Sequence, residues 1–92
     1  MALNTKEKQK LKGHAHGLSP IVFIGHNGLT DNVNKEVDRA LNDHELIKMR
    51  IQHEDREVRR ELFAEISKLH HAELIQTIGC IGVLYRKNKE TK

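Results

Sequence analysis

The residues best suited to binding chemistry form a short segment in which Gly25, His26, Asn27 and Gly28 separate an apolar run from a helix start at Thr30. Glycine has no β-carbon, so a ligand can approach its main chain closely. The first N–H groups of a helix lack partners within the helix and lie at the positive end of its dipole. His26 and Asn27 add polar side chains that can donate hydrogen bonds. These five residues therefore predict a site for an anion such as a phosphate.

The same spacing is also explained by a turn that merely needs two glycines. Neither common nucleotide-binding motif fits, because the segment lacks the Lys and Ser/Thr of a P-loop and the additional leading glycine of a dinucleotide fingerprint. A Gly-x-x-Gly element does clamp the nucleic-acid backbone in one class of RNA-binding module. From the residues alone, the turn and the backbone-binding site both stay open.

Other side chains that could carry chemistry form no recognisable constellation. The histidine pairs His14/His16 and His70/His71 are not spaced to place two rings on one helix face, and no Cys pair accompanies them. No serine lies in a nucleophile elbow, and the single cysteine, Cys80, is expected to be a buried free thiol. We therefore expect no enzymatic activity, no metal site and no cofactor.

Positive charge is concentrated at the two ends of the chain. Residues 1–16 and 86–92 each carry a net charge of +3, whereas residues 17–85 carry −3, within a total of +3. If both ends meet on one side of a small fold, their field attracts a polyanion. Solvated tails that aid solubility are the alternative.

Aromatic residues are scarce, which limits how a nucleic acid could be bound. Only Phe23, Phe63 and Tyr85 are present, and Phe23 is expected to lie in a central strand. Stacking of successive bases needs exposed aromatic rings, so we expect contacts to the nucleic-acid backbone instead. Lys48 and Arg50, on the polar side of a predicted strand, either extend such a surface or are ordinary solvated charges.

Length and composition favour one small domain. A chain of 92 residues supports a single core, and we predict one domain over residues 1–88 followed by a short basic tail, 89–92. No apolar run reaches the roughly 18 residues needed to span a bilayer, and the Lys-rich N-terminus is not a signal peptide. We expect a cytoplasmic monomer with no membrane association.

Hydrophobic periodicity predicts three helices and four strands. The first helix is expected to be capped by Thr5, with Leu11, Ala15 and Leu18 facing inward. The second starts at Thr30 or Asp31, and the third starts at Asp55 with an apolar stripe from which Phe63 departs. The four stripe residues are Val58, Leu62, Ile66 and Leu69. The predicted strands are 21–24, 46–52, 73–78 and 81–87, and Gly82 marks a bulge or a close approach.

The order α-β-α-β-α-β-β constrains the topology. Strands joined by helices pair in parallel through right-handed crossovers, whereas the last two strands are joined too tightly for a crossover and run antiparallel. The sequence therefore predicts a two-layer α/β sandwich with a mixed four-stranded sheet.

Several separated motifs occur in a set order along the chain. They are Thr5–Gly13, Gly25–Thr30, His44–Lys48 and Gln76–Gly79 followed by Leu84–Arg86. Together they resemble the YhbY family of stand-alone bacterial CRM domains, named for chloroplast RNA splicing and ribosome maturation. The resemblance covers nearly the whole chain.

The resemblance implies a non-catalytic RNA-binding protein that associates with precursors of the large ribosomal subunit. It also implies a fold similar to the C-terminal domain of bacterial translation initiation factor three. The RNA-contacting loop of the family corresponds here to Gly25, His26, Asn27 and Gly28, and its basic flanks to Lys8, Lys12, Arg86 and Lys87. A different function stays open, in which the mixed-charge third helix docks on a ribosomal protein or an assembly GTPase.

Overall fold

The computed structural model describes residues 4–25 and 27–87. Three helices and four strands follow one another in the predicted order, and this prediction is confirmed. The elements are α1 (Thr5–Ala15), β1 (Val22–Ile24), α2 (Asp31–His44), β2 (Leu46–Ile51), α3 (Arg56–Leu69), β3 (Glu73–Ile78) and β4 (Ile81–Tyr85). His26 and the predicted tail 89–92 lie outside the described residues.

The four strands form one mixed sheet in the order β1-β2-β4-β3. β1 and β2 are parallel, whereas β4 runs antiparallel to both β2 and β3. The prediction that the strand containing Phe23 is central is wrong, because β4 occupies the second side of β2 and leaves β1 at the edge. Val22 and Ile24 are buried, but the intervening Phe23 is 57% exposed.

The two ends of the sheet differ in what they carry. β1 and β2 both finish at one end, where β3 also finishes and β4 begins, so the Gly25–Gly28 segment and the β3–β4 turn lie there together. Hydrogen bonds join these segments: Ile51 N donates to Cys80 O at 2.9 Å, and Gln52 N donates to Ile24 O at 2.8 Å. We call this the loop end. The opposite end, where β2 and β3 begin and β4 finishes at Tyr85, is called the clamp end.

One face of the sheet packs against α2 and α3 and forms the main core. Its buried residues are Val22, Ile24, Val37, Ala40, Leu41, Ile47, Met49, Ile51, Phe63, Ile66 and Leu84. Phe63, which departed from the predicted stripe, is buried against β4 at Gly82. A β-carbon built on Gly82 would lie 2.6 Å from Phe63 Cδ1, so the predicted close approach is found at this glycine. The register irregularity lies in β3 instead, between Leu74 and Gln76.

The other face of the sheet is covered only in part, by α1. A small core joins Ala15 to Ile75 and Val83, with Leu11, Leu46 and Tyr85 packed against it. Burial raises the pKa of the Tyr85 hydroxyl, and the nearby Glu45 and Glu7 carboxylates raise it further. Because Leu46, Val83 and Tyr85, which pack with α1, lie towards the clamp end, this helix covers the clamp-end half of the face. None of the described helices lies over the loop-end half.

The helix boundaries agree with the prediction except in α1. The N-cap of α1 is Asn4 rather than Thr5, because Asn4 Oδ1 accepts from Glu7 N at 2.8 Å while Glu7 Oε1 accepts from Asn4 N at 3.2 Å. Since α1 ends at Ala15, Leu18 lies beyond it and is 38% exposed. The N-caps at Thr30 and Asp55 are confirmed.

Three further features bear on the classes of function considered. Cys80 is a free thiol, and it is half-buried where burial was predicted. Over residues 4–25 and 27–87, no group of three or more His, Cys, Asp or Glu side chains is placed to hold a metal ion. None of the described helices is long and apolar enough to cross a membrane.

Candidate nucleic-acid interface

The glycine-bracketed segment forms a tight turn at the loop end of the sheet. Gly28 N donates to Gly25 O at 3.1 Å and closes the turn. Gly28 has φ +72°, a left-handed conformation that favours glycine. The turn conformation alone therefore explains why glycine occurs at position 28. Gly25 has no such requirement, and nothing lies within 4 Å of a β-carbon built on it. Gly25 and Asn27 are both exposed.

The main chain around this turn is open to a ligand. Apart from its chain neighbours, no atom of the described residues lies within 4 Å of a β-carbon built on Gly28. Thr30 Oγ1 accepts from Val33 N at 3.2 Å and so satisfies one N–H group at the start of α2. The hydrogen bonds found among the described residues do not involve the N–H groups of Asn27, Leu29 or Asp31. Gly25, Asn27, Gly28 and the start of α2 therefore lie together, with N–H groups that have no hydrogen-bond partner among the described residues.

Both long helices direct their N-termini to this end of the molecule. α2 begins directly after the glycine turn, and α3 begins after β2, whose last residue, Ile51, lies at the loop end. A helix carries partial positive charge at its N-terminus and partial negative charge at its C-terminus. The loop end therefore receives two positive helix ends, although the Asp55 N-cap of α3 offsets part of this charge. The clamp end receives both negative ends.

Three arginines at the loop end were not predicted as site residues. Arg56, Arg59 and Arg60 line a cleft between α3 and the β3–β4 turn at Gly79. Arg59 holds this region together, because its Nε donates to Gly79 O at 3.2 Å and its Nη1 donates to the carbonyls of His53 and Glu54. Arg56 and Arg60 are exposed and, within the described part of the chain, form no ion pair.

The sequence did contain a signal for these arginines. The antiparallel pairing of β3 with β4 was predicted, and it requires the Gly79-Cys80 turn to lie at the end where β4 begins. What was missing is the sheet order, which places β4 beside β2 and so brings this turn next to the start of α3.

Arg86, predicted as a basic flank of the site, lies at the opposite, clamp end. Its guanidinium donates to His70 O at 3.1 Å, to Asp38 O at 3.2 Å and to Asn42 Oδ1 at 2.9 Å. It also forms an ion pair with the Asp38 carboxylate at 3.1 Å. Arg86 therefore donates to the carbonyl of His70, the C-cap at the negative end of α3, and to a carbonyl in the middle of α2. The structure does not bring Arg86 to the glycine turn.

The remaining predicted basic residues lie at different places in the fold, and among them Arg50 lies at the loop end, paired with Phe23 of β1. Lys87 follows Arg86 beyond the clamp end and is exposed. Lys8 and Lys12 are half-buried on α1, whose contacts are with β2 and β3. Lys48 and Arg50 lie on the second face of β2, and Arg50, at the loop end, is exposed. Their role in binding stays a prediction.

The fold and this turn define a small α/β domain with a glycine loop opening onto a helix N-terminus, and comparison with known proteins gives its family. The CRS1 / YhbY (CRM) domain model matches residues 3–86. The chain therefore belongs to the CRS1/YhbY (CRM) domain family.

Relatives with similar sequences cover almost the whole chain. A Haemophilus influenzae protein named as an RNA-binding protein is 49% identical over 90 residues, which span 98% of this chain and 91% of the relative. The probable RNA-binding protein YqeI of Bacillus subtilis is 37% identical over 98% of this chain and 94% of its own.

A solved structure shows the same architecture. The solution structure of a Staphylococcus aureus protein, described as a candidate RNA-binding protein, matches with a TM-score of 0.85 and 36% identity. The match covers 99% of this chain and 95% of that one. The predicted family and fold class are thereby confirmed.

Proposed function

We propose that this protein binds RNA without catalysing a reaction, and that its RNA is ribosomal RNA in precursors of the large ribosomal subunit. Membership of the CRM family and the RNA-binding names of its relatives support RNA as the ligand. The ribosomal assignment rests on the sequence resemblance to the YhbY family. Cytoplasmic location and monomeric state stay predictions.

The observation that carries the proposal is the open glycine turn. Gly25 is exposed, has an ordinary φ and has open space where a side chain would be, so the turn itself does not require glycine there. A phosphodiester pressed against the main chain does require it, because any side chain would hold the phosphate away. The N–H groups beyond the turn then donate to phosphate oxygens at the positive end of α2.

Charges around the turn determine where the rest of the RNA backbone lies. Arg50, Arg56 and Arg60 are exposed at the loop end, and we assign to them the role of basic flanks. The sheet is four strands wide, so β1 and β3 are separated by roughly 14 Å. Contacts at the glycine turn and at the arginine cleft would therefore engage different phosphates. Arg86 is occupied within the fold and is not needed for this arrangement.

The decisive experiment replaces Gly25 by Val. The side chain points into open space, so we expect the thermal midpoint to stay near that of the wild type while affinity for large-subunit ribosomal RNA falls at least tenfold, about 1.4 kcal/mol. Gly28→Val is a poorer test, because φ +72° strains any L residue and would lower stability as well. Fluorescence anisotropy and thermal denaturation, followed by circular dichroism, provide the two readouts.

Gly17→Val is the matched control. Gly17 is also exposed, precedes β1 instead of following it, and has only His14 O at 4.0 Å from a built β-carbon. Its replacement should leave RNA affinity unchanged. Equal affinities for the wild type and Gly25→Val would show that the glycine turn does not hold the backbone.

A salt titration tests the electrostatic part separately. If several phosphates are neutralised, the logarithm of the binding constant should fall with the logarithm of salt concentration, with a slope of about −0.7 per phosphate contact for single strands. Ribonuclease treatment of ribosome-precursor fractions separates RNA binding from docking on a protein. Release by the nuclease is expected, whereas retention would favour the protein-docking function of α3.

A further inference from the structure

A row of exposed side chains crosses the uncovered half of the sheet at the loop end. The strand register pairs Phe23 with Arg50, Arg50 with Ile81, and Ile81 with Ile78. Phe23 and Ile78 are 57% and 61% exposed, Arg50 is exposed and Ile81 is half-buried. We call these four residues the open strip.

The open strip is exposed because α1 covers only the other half of this face. Alternation along β2 and β4 directs Ile47, Met49 and Leu84 into the main core, and the strip residues to the opposite side. The row places two exposed apolar side chains, Phe23 and Ile78, on either side of Arg50 and the half-buried Ile81. Exposed apolar surface of this kind can serve as an interaction site. A ligand that binds the open strip would contact the Arg50 guanidinium as well as the apolar side chains.

The charges on and beside the open strip indicate which kind of ligand it would bind. The next row towards the clamp end pairs Lys48 with Val83 and Val83 with Gln76, so neither row contains an acidic residue. Lys48 Nζ donates to Leu18 O at 3.1 Å. The Arg50 side chain forms no hydrogen bond or ion pair among the residues described. An aromatic ring beside an unoccupied cation, with no carboxylate in either row, suits a nucleic-acid base and its phosphate.

The strip is continuous with the glycine turn. Gly25 follows Phe23 by two residues, which corresponds to about 7 Å along an extended chain. An RNA strand whose phosphate lies at the turn can therefore place a neighbouring base over the ring. The sequence predicted no platform for stacking successive bases, partly because Phe23 was expected to lie in a central strand; its exposure on an edge strand leaves room for one stacked base.

We propose that the open strip binds an unpaired base of the same RNA, stacked on the Phe23 ring with Arg50 beside it. This inference rests on the proposed RNA-binding function and deepens it: the preferred ligand has a single-stranded nucleotide next to the backbone segment held by the glycine turn. A fully paired duplex offers no free base face and gains nothing from Phe23.

The test compares Phe23→Leu, Phe23→Tyr and the wild-type protein. Leucine keeps apolar surface but removes the ring, whereas tyrosine keeps the ring. Each protein is titrated with a single-stranded oligoribonucleotide containing a fluorescent purine analogue, and with a duplex of the same sequence. We expect Phe23→Leu to lose about tenfold in affinity for the single strand and to lose the fluorescence change caused by stacking. Phe23→Tyr should restore both, and duplex affinity should stay constant.

Leu69→Ala is the control for general loss of surface hydrophobicity, because Leu69 is 54% exposed on α3, away from the strip. If the wild type binds both RNAs and Phe23→Leu binds the single strand equally well, the strip does not hold a base and serves another partner, such as a protein. That result leaves the proposed function intact. If the wild type binds neither RNA, the proposed function itself is wrong.

Discussion

Both ends of the sheet contain residues with positive φ angles, but the residue types differ. At the loop end the positive φ angles belong to glycines, Gly28 at 72° and Gly79 at 58°; at the clamp end they belong to Glu45 at 63° and His71 at 53°. A non-glycine residue in the left-handed region costs about 1 kcal/mol. The clamp end tolerates that strain and keeps its side chains, whereas the loop end leaves the main chain uncovered, as a binding surface for a polymer backbone requires.

Arginines show the same contrast. The Arg86 guanidinium at the clamp end donates hydrogen bonds to Asp38, Asn42 and His70 within the fold. At the loop end Arg59 is used in this way, whereas Arg56 and Arg60 are exposed and form no ion pair with the residues that the structure describes. The comparison shows that Arg86 has partners within the fold, whereas Arg56 and Arg60 form no ion pair among the described residues. Helix direction favours this arrangement at the clamp end, where the negative end of α3 attracts a cation.

Replacing Arg86 by Ala tests the clamp end and should have the largest effect on stability. The substitution leaves the His70 and Asp38 carbonyls without their charged donor and removes a partly exposed ion pair. We expect unfolding to become easier by about 2 kcal/mol, with a fall of about 10 °C in the thermal midpoint. Urea and thermal denaturation measure it.

The control for this change is Arg60→Ala, which removes an exposed arginine from the loop end and should alter stability by less than about 0.5 kcal/mol. RNA affinity of Arg86→Ala should match the wild type at a temperature where both are folded. A large loss of affinity by the folded variant would place Arg86 in the RNA contact predicted from the family resemblance.

The double substitution Arg56→Gln with Arg60→Gln tests the loop end. We expect a smaller effect, a loss of about threefold in RNA affinity, because Glu57 and Glu61 on the same helix offset part of the positive charge. The slope of a salt titration should become shallower by one or two phosphate contacts, about 0.7 each, with unchanged stability. An unaltered slope would show that the RNA does not reach the arginine cleft.

The smallest of the predicted effects is a pH dependence of the free energy of unfolding, which should come from His70 at the clamp end. Burial lowers the pKa of His70 below its ordinary value of 6.5; Asp38 opposes this shift, and Arg86 and His71 reinforce it. At His70, the folded protein therefore binds fewer protons than the unfolded chain as the pH falls below 6.5. The stability that neutral His70 contributes is present above that pH and is lost as the pH falls towards the lowered pKa.

This contribution should disappear in His70→Asn and persist in His14→Asn, an exposed histidine on α1. Urea denaturation at a series of pH values provides the comparison. Equal pH profiles for the wild type and His70→Asn would assign the pH dependence to other groups.

The helices and strands could be predicted because strand alternation and helix caps depend on residues that are close together in the sequence. Alternation in Leu46–Ile51 is dictated by the period of a strand, and the caps at Thr30 and Asp55 satisfy N–H groups within their own first turns. The N-cap of α1 was predicted one residue late, because Asn4 and Thr5 are both residue types that cap helices. The reciprocal hydrogen bonds between Asn4 and Glu7 make Asn4 the cap.

Position in the sheet could not be predicted in the same way. An apolar triplet, Val22–Ile24, is compatible with a central strand or with an edge strand that buries two of its side chains. Only pairing of β4 with the free side of β2 decides between them, and this pairing joins residues more than thirty positions apart. The exposure of Phe23, and hence the open strip, follows from that choice.

The sequence by itself determined the family, the order of helices and strands, and the glycine turn, because each depends on residue types close together in the chain. Tertiary structure decided which cations remain available to a ligand and which apolar side chains remain exposed. The physical reason is that a donor or a hydrophobic surface is free only when the packed fold offers it no partner, and the partners of Arg86 lie on helices far from it in sequence.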